Sequence, residues 1–552
     1  MARLLLVFAV ALSMGCFSCS PKAPDSEPTI AKPAPSEPIP RGKAEVAPKL
    51  VVLVVMDQLA SWVLDMYLPI LPDESFLRRV SEEGTFLQAA LPYASTQTAP
   101  GHASLTTGVP PSMHGIVANA IYDPKHGPRK TVDDKTHTTL GNPARFVSPI
   151  MLKTPTVADG LLQKTDGRAR VVGISIKARA AVLPVGKKPT AAIYYDSTAK
   201  GMTTSTYYQP NLRLPDWLRD FVTANPVEPL LQAWEPERPS WLEANFGPDP
   251  RMGEMFPIFP HDPKDAENPY EAFMSFPEST DYLIAAAYAA VKAEQMGLDD
   301  APDLLVLGVS GTDIVGHIWG PRSWEYADNL VRTDRALGRF AAILESRGPV
   351  AFVLTADHGI AAMPESIVDE GGDAGRLKHQ AVVAHAERAA DQALGPGDWI
   401  AAYVPPLVSY TEAGKKQHEA LDKALLNEMP KLKGVKGVYD AHDGAALRSS
   451  SRDIEKLVGN SLPVDPPGDL YLVTDEHWFD ALSELGGTNH GTPWAYDRLV
   501  PVILWGAGIE KRSSDRIHSV LQVATSLAAL LGVPAPALAP QEPLPGVMQL
   551  PD

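Results

Sequence analysis

The sequence predicts an α/β protein: a mostly parallel central sheet flanked by helices, with two insertions that cap its functional end. Two observations predict it. The runs Leu50 to Met56, Val171 to Ile176, Leu304 to Val309, Val350 to Leu354 and Leu499 to Leu504 are short, largely β-branched or aliphatic, and apolar apart from Ser175, as strands buried on both faces are. Longer helix-like stretches, such as Thr280 to Met296 and Tyr326 to Ser346, alternate with them, and strands alternating with helices build parallel sheets. No repeat of roughly 20 to 50 residues interrupts this order, which argues against a solenoid or propeller.

At the N-terminus, Arg3 precedes an apolar stretch from Leu4 to Leu12. That is too short to span a bilayer comfortably and fits the core of an export signal, so 1–19 reads as a signal peptide. Ser13-Met14-Gly15-Cys16 resembles a lipobox, in which a lipid-modified Cys16 becomes the new N-terminus and anchors the chain to a membrane. Ordinary secretion is the alternative, so the expected location is the periplasm or the envelope membrane surface. Cys16 and Cys19 are the chain's two cysteines, and the mature body therefore has no disulfide framework. Residues 20–48 carry eight prolines among Ser, Ala, Lys and Glu. With little to bury, they read as a disordered, extended tether.

The remainder, 49–545, reads as one catalytic domain with insertions at about 187–277 and about 375–485. The length of 552 residues alone allows several domains. Pro-Trp clusters in the first insertion, such as Leu214-Pro215-Asp216-Trp217, read as loop packing rather than ligand stacking. The formal charge of −17, with no clustered run of Lys and Arg, argues against a nucleic-acid partner. An anionic substrate would then need local cations.

Such cations have an obvious source. Parallel sheets bind ligands at the carboxyl ends of their strands, and Asp57, Asp313 and Asp357 all fall just after apolar runs. Asp313 and His317 are spaced i and i+4, so on a helical turn they face the same way. Asp357 and His358 are neighbours in a post-strand loop, and His490 follows far downstream. Three Asp and three His make a mixed oxygen and nitrogen donor set that zinc takes readily. Two such ions roughly 4 Å apart can hold the attacking and leaving oxygens of a phosphoryl displacement.

The segment Ser95-Thr96-Gln97-Thr98-Ala99-Pro100-Gly101-His102 reads as a nucleophile loop entering a helix, with Thr98 at or near the N-cap. There the helix dipole favours the alkoxide of Thr98, although a capping Thr needs no chemistry at all. In Ser175-Ile176-Lys177-Ala178-Arg179 the period of two predicts that Lys177 and Arg179 project together from a strand face. Arg can hold two phosphoryl oxygens through its fork and Lys acts as a point charge. Both suit a dianionic monoester better than a monoanionic diester.

Together these residues resemble the alkaline phosphatase superfamily, most closely its phosphate-irrepressible, PafA-type monoesterases. The likeness runs from about Val51 to Leu504, with the metal ligands, nucleophile loop, Ser-Ile-Lys-x-Arg and Asn-His-Gly in the family's order. It implies two Zn2+ per chain, one held by Asp57, Thr98, Asp357 and His358 and the other by Asp313, His317 and His490. It further implies that Thr98 attacks phosphorus to form a phosphothreonine. Asn119 matches the family's amide that binds a phosphoryl oxygen, and Lys177 and Arg179 match the pair that sets monoesterases apart from phosphodiesterase and nucleotide pyrophosphatase relatives. Ala178 departs from the polar residue often found there and leaves both basic positions intact. The sulfatase signature is absent. The expected substrates are small phosphate monoesters; the rival readings are a diesterase with the same metals and a non-catalytic surface protein that binds phosphorylated ligands.

Overall fold

The computed structural model describes residues 46–247, 259–481 and 487–548. The expected export signal, Cys16 and nearly all of the Pro-rich tether lie outside these residues.

The centre of the molecule is a nine-stranded sheet. Its strands are β1 (Leu50–Met56), β2 (Thr85–Ala90), β3 (Val171–Ser175), β4 (Ala191–Asp196), β5 (Gly201–Thr203), β6 (Asp303–Val309), β7 (Val350–Thr355), β12 (Leu499–Gly506) and β13 (Ser513–Ser519). A smaller sheet contains β8 (Ile400–Val404), β9 (Leu407–Tyr410), β10 (Val435–Asp440) and β11 (Leu470–Thr474). The order in the large sheet is β13-β2-β12-β7-β1-β6-β3-β4-β5. β1, β6, β7, β3 and β4 pair in parallel with their neighbours among themselves, whereas β12 runs antiparallel between β7 and β2. All seven residues of β1 are buried, as are all seven of β6 and all six of β7, which is why these segments are apolar without alternation.

Register decides where the chemistry falls. Met56 lies opposite Val309, Val55 opposite Thr355, and Gly308 opposite Ser175. Four parallel strands thus end flush, and the residues that follow them emerge at one edge of the sheet. Asp57, Lys177, Asp313 and Asp357 come from those four exits.

Helices complete the layer. They include α1 (Phe76–Glu83), α2 (Thr98–Thr107), α3 (Ala178–Val182), α4 (Pro277–Ala293), α5 (Gly311–Trp319), α6 (Trp324–Arg347), α7 (His379–Leu394), α8 (His418–Glu428) and α9 (Gln522–Leu530). α4 and α6 pack on each other, and α9 packs on α2. Among the described residues no helix is long and apolar enough to cross a membrane.

The stretch 187–277 is not wholly separate from the core. β4 and β5 lie inside it and extend the main sheet, because Ala-Ala-Ile-Tyr-Tyr-Asp is itself a fully buried strand. The chain leaves the sheet only after Thr203. Beyond that point, Trp234 Nε1 donates to Asp328 Oδ2 at 2.8 Å and Trp241 Nε1 to the Ile70 carbonyl at 3.2 Å, so these indoles are spent on packing. The stretch 375–485 builds the four-stranded sheet β8-β9-β11-β10, with α7 and α8 closing a hydrophobic cluster of its own. It meets the nucleophile loop directly: Ser461 Oγ accepts from the backbone N–H of Ala94 and Ser95, and Gln97 Nε2 donates to the Pro405 carbonyl.

Candidate active site

Two groups of donors, all buried except the partly exposed His317, stand side by side at the sheet edge. Asp57, Asp357 and His358 form one and Asp313, His317 and His490 the other, with one ligand atom from each residue lying within 4.8 Å of the others in its group. The groups touch. The His358 and His490 rings stack with centroids 3.6 Å apart, and His490 lies 5.0 Å from His317.

The histidine tautomers follow from their backbone partners. His490 Nδ1 is 2.7 Å from the Thr96 carbonyl, His317 Nδ1 3.0 Å from that of Thr488, and His358 Nδ1 2.9 Å from that of Gly359. A carbonyl only accepts, so each ring donates from Nδ1 and turns Nε2 inward, where it can take a metal ion or a second proton. Those Nε2 atoms face carboxylates: His317 and His490 lie 3.2 and 3.5 Å from Asp313 Oδ1, and His358 lies 3.4 Å from both Asp57 Oδ1 and Asp357 Oδ2. An Nε2 facing carboxylate oxygens in a buried space needs a cation between them or, as the raised pKa of His358 shows, a proton on the ring. Asp57 Oδ1 and His358 Nε2 are buried without a hydrogen-bond partner, Asp357 Oδ2 meets only the His102 Nδ1 that also faces the Thr98 carbonyl, and a metal ion bound by all three would satisfy them at once. The donor set therefore fits divalent metal.

Electrostatics agree. Burial, then the nearby Asp313 and Asp357 carboxylates, push the Asp57 pKa up. For Asp313, burial opposes ionisation but is outweighed by His317 and Lys177, which hold its pKa well below the usual range. Asp357 is likewise lowered against burial, by His358 and His102. Burial works against a charged His358, yet Asp357 and Asp57 raise its pKa to about 9; burial and the His358 charge push His490 down to about 3. The site is a pocket of negative charge that needs cations.

Lys177 already supplies one. Its Nζ donates to Asp57 Oδ2 at 2.6 Å and also to Asp313 Oδ2, bridging the two groups. Arg179 goes elsewhere, its Nη2 donating to Thr98 Oγ1 at 3.2 Å while its Nε is buried with no partner. The expectation that both project from one strand face is corrected here. β3 ends at Ser175, whose Oγ donates to the Gly308 carbonyl and accepts from the Lys177 N–H, so the chain turns into α3 with Lys177 as its N-cap residue. Turning sends one cation to the carboxylates and the other to the threonine.

Thr98 is the first residue of α2, one position inside the N-cap Gln97, and is fully buried. Its helix packs against the first metal group: a Cβ on Gly101 would overlap the Asp357 carbonyl oxygen. His102, one turn on, sets Nδ1 3.0 Å from both the Thr98 carbonyl and Asp357 Oδ2. Asn119 reaches the same helix. Its Oδ1 accepts from the Ala99 N–H at 2.8 Å, which leaves the NH2 end available to an acceptor, and its N–H donates to Gln97 Oε1 at 2.7 Å. His114 shapes that loop by accepting from the Ile116 N–H at Nδ1 and contacting Ser104 Oγ at 3.0 Å. Every site residue expected from the sequence thus converges here.

Sequence reasoning missed Gln58, Gln97 and His102. Gln97 and His102 sit inside the motif around Thr98, where spacing was the available signal. Gln58 adjoins Asp57 and touches both metal groups: its N–H donates to Asp357 Oδ1 at 3.2 Å and its Nε2 to Asp313 Oδ1 at 3.0 Å.

The type I phosphodiesterase / nucleotide pyrophosphatase family model matches residues 51–493. Alkaline phosphatase PafA of Elizabethkingia meningoseptica is 30% identical over 529 residues, covering 91% of this chain and 94% of that protein. A protein named calcium-transporting ATPase from Myroides odoratus is 28% identical over 514 residues, covering 89% and 92%. The crystal structure of wild-type PafA matches with a TM-score of 0.83 at 28% identity, over 91% of this chain and 99% of that one, so the fold is alkaline phosphatase-like. With four-fifths of its length inside the family model, the chain belongs to the type I phosphodiesterase / nucleotide pyrophosphatase family.

Proposed function

We propose that this chain is a two-zinc phosphate monoester hydrolase, an alkaline phosphatase that acts through a phosphothreonine at Thr98. One observation carries the reading: a buried threonine hydroxyl at a helix start accepts from Arg179, beside two largely buried Asp/His groups bridged by Lys177. The whole-length likeness to an alkaline phosphatase supports it.

Asp57, Asp357 and His358, with Thr98, would hold one ion and Asp313, His317 and His490 the other; bound there, zinc supplies Lewis acidity toward the attacking and departing oxygens. The chain's own residues do the rest. Thr98 Oγ1 gives its proton to water and forms the new bond to phosphorus as the ester P–O bond breaks and the leaving oxygen takes a proton from water to depart as the alcohol, aided by the positive end of α2. Arg179 and the Asn119 NH2 bind phosphoryl oxygens, and Lys177 offsets charge as the dianion enters between the two groups. Water then cleaves the phosphothreonine and releases inorganic phosphate. Two displacements retain configuration at phosphorus.

Diester hydrolysis is the second reading, favoured by the family model itself. The two cations argue for monoesters, because a diester lacks the second negative charge they would meet. Export to the periplasm, with or without a lipid anchor at Cys16, belongs to the same proposal, as does the absence of a nucleic-acid partner. The test is hydrolysis of p-nitrophenyl phosphate by native enzyme and Thr98→Ala, with acid-quenched protein examined for phosphothreonine. Turnover that persists in Thr98→Ala, or quenched protein free of phosphate during turnover, would reject the nucleophile.

A further inference from the structure

We propose that Gln58 is a positioning residue that ties the two metal groups together and sets the affinity of the second. The inference rests on the two-metal reading above.

Three features single this residue out. First, Gln58 has φ of +72°, the left-handed region, although it is not glycine. Glycine would adopt that backbone at far lower cost, and strain of this kind persists where surrounding structure enforces it. Second, it is fully buried, yet both its backbone and its side-chain N–H groups reach carboxylates of different metal groups: the backbone N–H reaches Asp357 and the side-chain amide reaches Asp313. Third, the amide lies in a cradle cut for it. α5 has Gly316 between its ligands Asp313 and His317, and a Cβ there would overlap Gln58 Oε1 and come within 3.3 Å of its Cδ. Its other near neighbour, Ile360 Cδ1 at 3.0 Å, is the end of a side chain that can turn aside.

The oxygen that Gln58 holds is the one that matters. Asp313 Oδ1 is also the atom faced by His317 Nε2 and His490 Nε2, so it is the ligand oxygen of the second group. Because a carboxylate only accepts, the NH2 end of the amide must face it, and Oε1 is left against Gly316. The amide fixes the plane of the Asp313 carboxylate while Lys177 holds the opposite oxygen. Without the amide, Asp313 is free to swing on its Lys177 contact, and the second ion loses a preset ligand. Partners that orient metal ligands typically change affinity by roughly 10- to 100-fold.

The test is a cycle of Gln58→Gly, Gly316→Ala and the double variant, each loaded with zinc and titrated with graded chelator while bound metal is counted by atomic emission. Native protein should hold two ions. Each single variant should release its second ion at roughly 10- to 100-fold lower chelator strength and keep the first. Since the methyl group introduced by Gly316→Ala acts by displacing the amide, it should add nothing in the Gln58→Gly background. Equal effects of Gly316→Ala in both backgrounds would overturn the proposal, as would unchanged second-ion retention in Gln58→Gly. If Gln58→Gly fails to fold, unchanged retention in Gly316→Ala overturns it alone. Native protein that binds fewer than two ions would instead bring down the two-metal reading, and this inference with it.

Discussion

Replacing Arg179 with alanine should separate monoester from diester hydrolysis. Arg179 donates through Nη2 to Thr98 Oγ1 and keeps a buried Nε without a partner, so its fork has donors left for a phosphoryl group arriving at that hydroxyl. A hydrogen bond from a charged donor contributes about 1.5–3 kcal/mol. At about 1.4 kcal/mol per tenfold in rate, losing one such bond to a dianion lowers kcat/KM by roughly 10- to 150-fold, and losing a fork of two lowers it further. A diester presents one charge fewer and an alkoxy group where one of those oxygens would stand, so its loss should stay below roughly tenfold. The assay is kcat/KM for p-nitrophenyl phosphate and bis-p-nitrophenyl phosphate in native enzyme and Arg179→Ala, with metal content checked in both. Lys177→Ala, assayed alongside, should lean the same way but with a larger change in metal binding, since its ammonium sits on Asp57 and Asp313. Equal losses on the two esters would refute the assignment of these cations to the monoester dianion.

Two further outcomes test the packing beneath the site. Gly101→Ala should lower both the melting temperature and kcat: the added Cβ meets the Asp357 backbone and lies 2.7 Å from its Cβ, an overlap costing about 1–3 kcal/mol against at most about 1 kcal/mol gained in helix propensity. A melting temperature that rises with kcat unchanged would show that α2 does not press on the metal loop. Asp334 caps α1 by accepting from Ser75 Oγ and from the Phe76 and Leu77 N–H groups, yet burial raises its pKa from 3.8 to about 6. A carboxyl whose folded pKa lies above its unfolded value holds its proton more tightly when folded, so its contribution to stability declines as pH rises from about 4 to 6 and is level above that. A difference of that size corresponds to about 3 kcal/mol. Denaturant titrations at pH 4 and pH 7 should therefore find Asp334→Asn gaining on the native protein at the higher pH, and a difference independent of pH would refute the burial argument.

How much of this was legible in the sequence depends on how local the cause is. The central strands were, because burial on both faces writes itself as an unbroken apolar run, and Asp57, Asp313 and Asp357 were legible as strand-end residues of a parallel sheet. β2 was missed because Thr-Phe-Leu-Gln-Ala-Ala alternates between buried and half-buried positions, and β13 because Ser-Ser-Asp-Arg-Ile-His-Ser is a largely exposed edge strand. The identities of Lys177 and Arg179 were readable but their geometry was not, since a serine hydroxyl bonded to the neighbouring strand ends β3 before either cation is reached. Gln58 was illegible altogether: its meaning lies in a left-handed backbone and in a partner 255 residues away.

The same contrast explains why an acidic chain can process an acidic substrate. A formal charge of −17 would repel phosphate at long range, but charge outside the site is screened within about a Debye length, whereas the buried Lys177 and the half-buried Arg179 act on the ester at short range. Inside, three carboxylates face three histidines whose protons are committed to backbone carbonyls, so the pocket is built to take up positive charge. Lys177 sits where that demand is shared by both groups, and Arg179 where the phosphoryl oxygens would arrive. Both cations leave the first turn of α3, Lys177 as its N-cap and Arg179 two residues on, so the placement of both depends on the Ser175 turn. A Ser175→Ala variant removes the hydroxyl that donates to Gly308 and accepts from Lys177; α3 would then lose its fixed start, and both the metal and the monoester preference should weaken together. Loss of one without the other, read by chelator titration and by the paired ester assay, would show that the two cations are placed independently.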